Sequence, residues 1–269
     1  MPRDLSDVLH YFMPESEPAA GTPTPLRPER NSLRPAARHP AALPLIGVPL
    51  GAQDVVRAAF TWNLTVEIAR LGGRAILIAP DEGEPSSLWP ESGLGPMGAE
   101  IIRSDARNLV ELHRKALDVA VARAPEANEG GVVFVRIPPT WIADFSEDGS
   151  WLRWTLLFSS GDSRDLLETY GVAKLLFRAH SNARVGVVIH GAQRIGEAER
   201  AFARLARSTE RNLGRSLESY GLLVDDLHVY RAIVAQRPIG LAHPQSPAAR
   251  SLRDVAGMVL DDARERALV

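Results

Sequence analysis

Short apolar runs alternate with stretches of helical periodicity along most of this chain, and that alternation restricts its fold more than any other feature. The first instance lies at residues 43–81. Leu45-Ile46-Gly47-Val48 is an apolar run closed by Pro49, Leu50 and Gly51; apolar residues then recur at helical spacing to Leu71, and Gly72-Gly73 stops them. Ala75-Ile76-Leu77-Ile78-Ala79 follows directly and ends in Pro80-Asp81. This is a β-α-β unit. Further runs at Val132 to Ile137, Trp154 to Phe158 and Val185 to His190, with shorter ones at residues 101–103 and 220–224, are separated by amphipathic stretches at 105–122, 163–179, 196–213 and 246–266. Strands that are apolar on both faces and joined by helices predict a three-layer, doubly wound α/β domain with a mainly parallel sheet. Residues 82–98, rich in Gly and Pro around Trp89, read as an irregular loop.

A β-α-β unit of this kind carries phosphate when its first loop has glycines and a Gly-Lys-Ser/Thr, because backbone N–H groups must wrap the anion. Here that loop reads Gly51-Ala52-Gln53-Asp54-Val55-Val56-Arg57-Ala58. The chain has no cysteine, which excludes disulfides, thiolate metal sites and a cysteine nucleophile. A net charge of −2 argues against a dedicated nucleic-acid binder, and no apolar run is long enough to span a membrane, so the expected location is cytoplasmic. The seven histidines show no paired helical spacing that would make a metal site. Ser159-Ser160-Gly161 ends a strand without the elbow of a nucleophilic serine. Trp141, Trp151 and Trp154 read as core or subunit contact, and residues 261–266 as a solvated helix end.

Three parts are expected: a short amphipathic helix at 1–14, a Pro/Ala/Arg-rich disordered linker at 15–43, and the α/β domain at 44–269. In the first, Leu5, Val8, Leu9, Phe12 and Met13 share one helical face, with Asp4 as N-cap and Pro14 as terminator. A helix below about 12 residues is marginal alone, so this one is ordered only when docked. Two readings stay open: it packs back on its own domain, or it is a tethered recognition element for a protein partner.

Several phrases carry a resemblance. Asn63-Leu64, then Ala69-Arg70-Leu71-Gly72, the stretch from Arg74 to Asp81, Glu210-Arg211-Asn212-Leu213-Gly214, Val229-Tyr230-Arg231-Ala232 and Gln236-Arg237-Pro238 together resemble the MinD/ParA group of deviant P-loop ATPases, and within it the FlhG branch, which regulates flagellar number. The resemblance implies a P-loop fold, nucleotide-sandwich dimers and a role in positioning a cellular machine. It also shows departures. The family's phosphate loop falls on residues 51–58, where only Gly51 matches. The signature lysine falls on Ala52, the phosphate lysine on Arg57 and the magnesium-binding hydroxyl on Ala58. The water-positioning aspartate falls on Ala79, with Asp81 nearby; the metal-shell aspartate on Arg136; and the adenine-reading asparagine on His190.

The expectation is therefore a pseudo-ATPase: a scaffold or regulator that binds protein and needs no cofactor, with Gly51, Arg57 and Asp81 as remnants of a nucleotide site and ATP without metal as a residual mode. The alternative is a slow, residual ATP-binding switch; a DNA-binding partition protein is a third class, disfavoured by charge. Any dimer should be independent of ATP or mixed with an active relative. The family's membrane-binding C-terminal helix is not expected, since the last turns carry Asp261-Asp262 and no lysine.

Overall fold

The computed structural model describes residues 41–266 except 52, 82–87, 89–90 and 144–149. The helix expected at 1–14, with Leu5, Val8, Leu9, Phe12 and Met13, and most of the linker lie outside the described residues, as do Ala52 and Trp89.

Eight strands form one sheet: β1 (Leu45–Pro49), β2 (Arg74–Pro80), β3 (Gly93–Leu94), β4 (Glu100–Ser104), β5 (Gly131–Ile137), β6 (Trp154–Ser160), β7 (Arg184–Ala192) and β8 (Glu218–Val224). Their order is β3-β4-β2-β5-β1-β6-β7-β8, and every pair is parallel except the two-residue β3 against β4. Among the described residues eight helices accompany them: α1 (Val55–Arg70), α2 (Leu109–Arg123), α3 (Pro139–Ala143), α4 (Ser163–Ala179), α5 (Ile195–Leu213), α6 (Leu227–Val234), α7 (Ile239–Ala242) and α8 (Pro247–Arg266).

Alternation along each strand sorts the core into two layers. Val132 and Phe134 of β5 pack with Leu64, Ile68, Val255 and Val259 of α1 and α8. Val133, Val135 and Ile137 face the other way, into the layer of α2, α4 and α5 with Leu112, Leu176 and Leu205. Burial on both faces explains why β5 reads as a continuous apolar run from Val132 to Val135. Gly186 is required by this packing: a Cβ there would lie 2.4 Å from the Tyr220 ring on the neighbouring strand.

The structure departs from the sequence reading in four places. The helix expected from 105 begins at Leu109, because Asn108 accepts the Glu111 N–H at 2.9 Å while Glu111 accepts that of Arg107, a reciprocal cap. The loop at 82–98 holds β3 and a 3₁₀ turn at Pro96–Gly98. Helices α6 and α7 were not anticipated; Asp226 caps α6 through the His228 N–H at 2.9 Å. The end of α8 is packed, not simply solvated. Asp262 is 2% exposed and accepts the Tyr220 hydroxyl at 2.5 Å, and the Arg266 guanidinium lies 4.1 Å from the centre of the Trp154 ring. Trp154 is buried and Trp141 partly buried, both as core contacts; the side chain of Trp151 is outside what is described.

Candidate functional site

In a doubly wound sheet the crevice for ligands lies at the carboxyl ends of the strands, beside the first strand. Here that place is the connection from β1 to α1. It is short: β1 ends at Pro49 and α1 begins at Val55. Helix α1 therefore begins within residues 51–58, on which the family's phosphate loop falls. Asp54 closes the turn. Its N–H reaches the Gly51 carbonyl at 3.2 Å and its carboxylate accepts the Arg57 N–H at 3.1 Å. A carboxylate of the chain itself thus occupies the first turn of α1, where backbone N–H groups and the helix dipole favour an anion.

Arg57 leaves this first turn and meets three carboxylates. Its guanidinium pairs with Asp54 at 3.2 Å, with Glu168 at 3.4 Å, and most closely with Asp165. Asp165 and Glu168 stand one turn apart at the start of α4. Asp165 is fixed from its other oxygen, which accepts the Ser160 N–H at 2.6 Å from the end of β6. The same oxygen lies 3.9 Å from Nε2 of His190, at the end of β7. Phe60 stacks obliquely on His190 with ring centres 5.3 Å apart. Burial holds the His190 pKa below its ordinary value; Asp165 opposes that shift and Arg57 adds to it. With His190 neutral, Arg57 and its three carboxylates together carry two negative charges, with Arg136 on neighbouring β5 outside that sum. Unit charges 4 Å apart interact by about 4 kcal/mol at an effective dielectric of about 20, so a polyphosphate entering here meets repulsion, and Arg57 must first leave its partners.

The remaining candidate positions sit as follows. Gly51 is exposed, and a Cβ added there would touch nothing within 4 Å. Ala58 is 1% exposed with its methyl in the core, where magnesium would need an oxygen. Arg136 is buried on β5 opposite Val48 at the end of β1. Asp81 turns away: its carboxylate pairs with Arg103 at 2.8 Å and its N–H meets Ser104, both on β4, and β5 separates β2 from β1. Gly51 and Arg57 share one loop and helix start, therefore, while Asp81 belongs to the other half of the sheet. Among the described residues, no group of three or more His, Asp or Glu could hold a metal ion. At the two positions where the resemblance places the family's magnesium-side residues, Ala58 and Arg136 carry no side-chain oxygen.

Sequence reasoning missed Asp54, Asp165 and Glu168. The Asp-x-x-Glu spacing at the start of α4, with Asp162 capping the Arg164 N–H at 2.7 Å, was the available signal of an acidic first turn. Nothing local tied that turn to Arg57, which lies 108 positions earlier.

No protein-family model matches the chain. Over 104 residues it is 31% identical to the antiactivator FleN of Pseudomonas aeruginosa, an alignment that takes in 39% of this chain and 37% of that protein. MinD complexed with Mg-ADP, from Pyrococcus horikoshii, superposes with a TM-score of 0.55 at 12% identity, over 84% of this chain and 99% of that one. A chain of the MinC:MinD cell division complex of Aquifex aeolicus gives a TM-score of 0.53 at 11% identity, over 81% and 95%. The chain has the MinD/ParA-type P-loop fold, with its local sequence likeness on the FlhG side of that group.

Proposed function

We propose that this protein is a regulator of the MinD/ParA/FlhG type that works as a pseudo-ATPase: its fold presents a surface to a protein partner, and its nucleotide crevice is filled by its own ion pairs. The observation that carries this reading is Arg57, the one cation left in the phosphate loop, held between Asp54, Asp165 and Glu168. The buried methyl of Ala58 and the buried Arg136 point the same way. Phosphoryl transfer depends on positioned charge and metal, and each of these changes removes a part of that machinery.

FleN is an antiactivator by name, and MinD forms a complex with MinC. A scaffolding or regulatory role in placing a cellular machine, exercised through a protein partner in the cytoplasm, is the corresponding role for this chain. The apolar face of Leu5, Val8, Leu9, Phe12 and Met13 is the recognition element, and any self-association or mixed dimer forms without ATP. Among the described residues no helix is long and apolar enough to cross a membrane.

Isothermal titration of ATP with magnesium into the intact chain tests the reading. The expected result is no saturable heat. A dissociation constant at or below about 10 μM, near −7 kcal/mol, would establish instead a residual ATP-binding switch.

A further inference from the structure

On the side of the sheet away from α1, helices α4 and α5 enclose a groove. Its floor is apolar, with Leu166 and Leu205, and its rim on α4 carries Leu167, 69% exposed, and Tyr170. The facing edge of α5 carries Arg200, Arg204, Arg207 and Arg211, all exposed and spaced to fall on one side of the helix. None of the four is in an ion pair among the described residues; Arg204 donates to the Ser163 hydroxyl at 3.1 Å. Clefts of about 520, 260 and 660 Å³ adjoin along this edge, and Arg204 lines all three. In a chain of net charge −2, these four arginines make a cationic edge beside an apolar channel. Asp162 and Glu197 line the first cleft and Glu210 the third, so the middle cleft, at Arg204, is the one without a carboxylate in its lining. At 1.5 Å per residue, the strip from Arg200 to Arg211 is about 16 Å long.

The chain contains one stretch that complements it. Residues 4–17 carry Leu5, Val8, Leu9, Phe12 and Met13 on one helical face, together with Asp4, Asp7, Glu15 and Glu17 and no Lys or Arg. As a helix, residues 4–13 would be about 15 Å long, the length of the strip. The tether fits too. Ala42 and Leu43 pack in the layer of α2, α4 and α5, and Leu43 N–H meets the Ala120 carbonyl near the end of α2. The chain therefore enters the fold on the face that bears the groove. Counted as a random coil, about 25 residues span about 25–30 Å on average, and a Pro-rich stretch reaches further, against about 20 Å from α2 across two helix spacings. A tether matched to its span gives an effective concentration in the millimolar range, enough to seat a helix of modest intrinsic affinity.

We infer that the acidic amphipathic segment 4–17 docks in cis on the α4–α5 groove of its own chain, apolar face on Leu166, Leu167 and Leu205, carboxylates on the α5 arginines. Duplex nucleic acid would answer the arginines but not the apolar floor, and an uncharged helix the reverse. Docking covers the recognition face, so a protein partner gains access by displacing the segment from the groove. The inference is independent of the state of the nucleotide crevice, because Arg57 and its partners take no part in the groove.

The absence of cysteine makes a clean test on the full-length chain. Ser6→Cys or Ser16→Cys is combined with Ser208→Cys, an exposed groove position, or with Val234→Cys, exposed on the opposite face. Oxidation should close a disulfide within one chain about tenfold faster at Ser208→Cys than at Val234→Cys, as the effective-concentration argument requires. Adding Arg204→Glu with Arg207→Glu, or raising the salt on the unaltered arginines, should abolish that difference. Equal rates at the two positions would overturn the inference. So would a disulfide-linked dimer as the main product, which assigns the groove to a second copy, or a rate indifferent to charge reversal and salt. Arginine-dependent capture of duplex DNA without the intrachain disulfide would overturn it in favour of nucleic acid.

Discussion

Replacing Asp165 by alanine removes the residue that links three elements at the candidate site. It takes a carboxylate from Arg57, an acceptor from the Ser160 N–H at 2.6 Å, and the nearest charge from His190 at 3.9 Å. Breaking a fully buried ion pair costs about 3–5 kcal/mol. Here the two side chains are 15% and 16% exposed, and Asp54 and Glu168 remain on Arg57. The expected loss is therefore smaller, about 2–3 kcal/mol including the unmet N–H. For a domain of this size that lowers the thermal midpoint by about 5–10 °C. Urea unfolding of the single variants Asp165→Ala and Arg57→Met and of their double variant gives the pairwise part. The double variant should lose about 1–2 kcal/mol less than the sum of the singles. Additivity within about 0.5 kcal/mol would refute the claim that Arg57 is engaged by Asp165.

Two further outcomes follow from buried groups. Glu67 is 1% exposed on α1, held by Arg70 at 3.1 Å, and a Cβ at Gly240 would stand 1.7 Å from its Oε1. Gly240→Ala should cost about 2–3 kcal/mol in urea unfolding through this overlap, and Gly240→Ala in a Glu67→Ala background should cost markedly less than in the wild type. His190 has a folded-state pKa below 6.5 because of burial, so below that pH the unfolded chain takes up a proton that the folded chain refuses. Stability should fall as pH drops through the window between the folded value and 6.5, and His190→Gln should flatten that part of the curve. His113, whose pKa burial also lowers, adds slope of the same sign, whereas Asp254, raised to about 6 by burial, and Glu67, also raised, act in the opposite direction.

The strands were legible because a parallel sheet covered on both faces demands residues that are apolar without alternation, as in Val132 to Val135. Helix α4 was placed at its observed limits because Asp162 is a strong cap just before an amphipathic run. The start of α1 was harder to read. The helical periodicity can be followed from Ala52, whereas α1 begins at Val55, because Asp54 caps it through the Arg57 N–H. Helix α6 was hidden by Val229, Tyr230, Ile233 and Val234, residue types that suit strands as well as helices. At the site, single positions of the sequence show that Arg57 and Ala58 stand where the family's pattern has a lysine and a hydroxyl. The partners of Arg57 could not be read in that way: its pairing with Asp165 and Glu168 joins residues 108 and 111 apart, and only the β6–α4 connection brings them together. The buried carboxylate of Asp262 was misread as a solvent-facing residue because its partner, Tyr220, lies 42 positions away on β8.

Crystals of the intact protein grown with millimolar ATP and magnesium address the central claim most directly. The account predicts that Arg57 stays on Asp54, Asp165 and Glu168, and that the β1–α1 connection shows no density for a triphosphate. A nucleotide seated there, with its cation bound and Arg57 turned from the carboxylates to its phosphates, would contradict it.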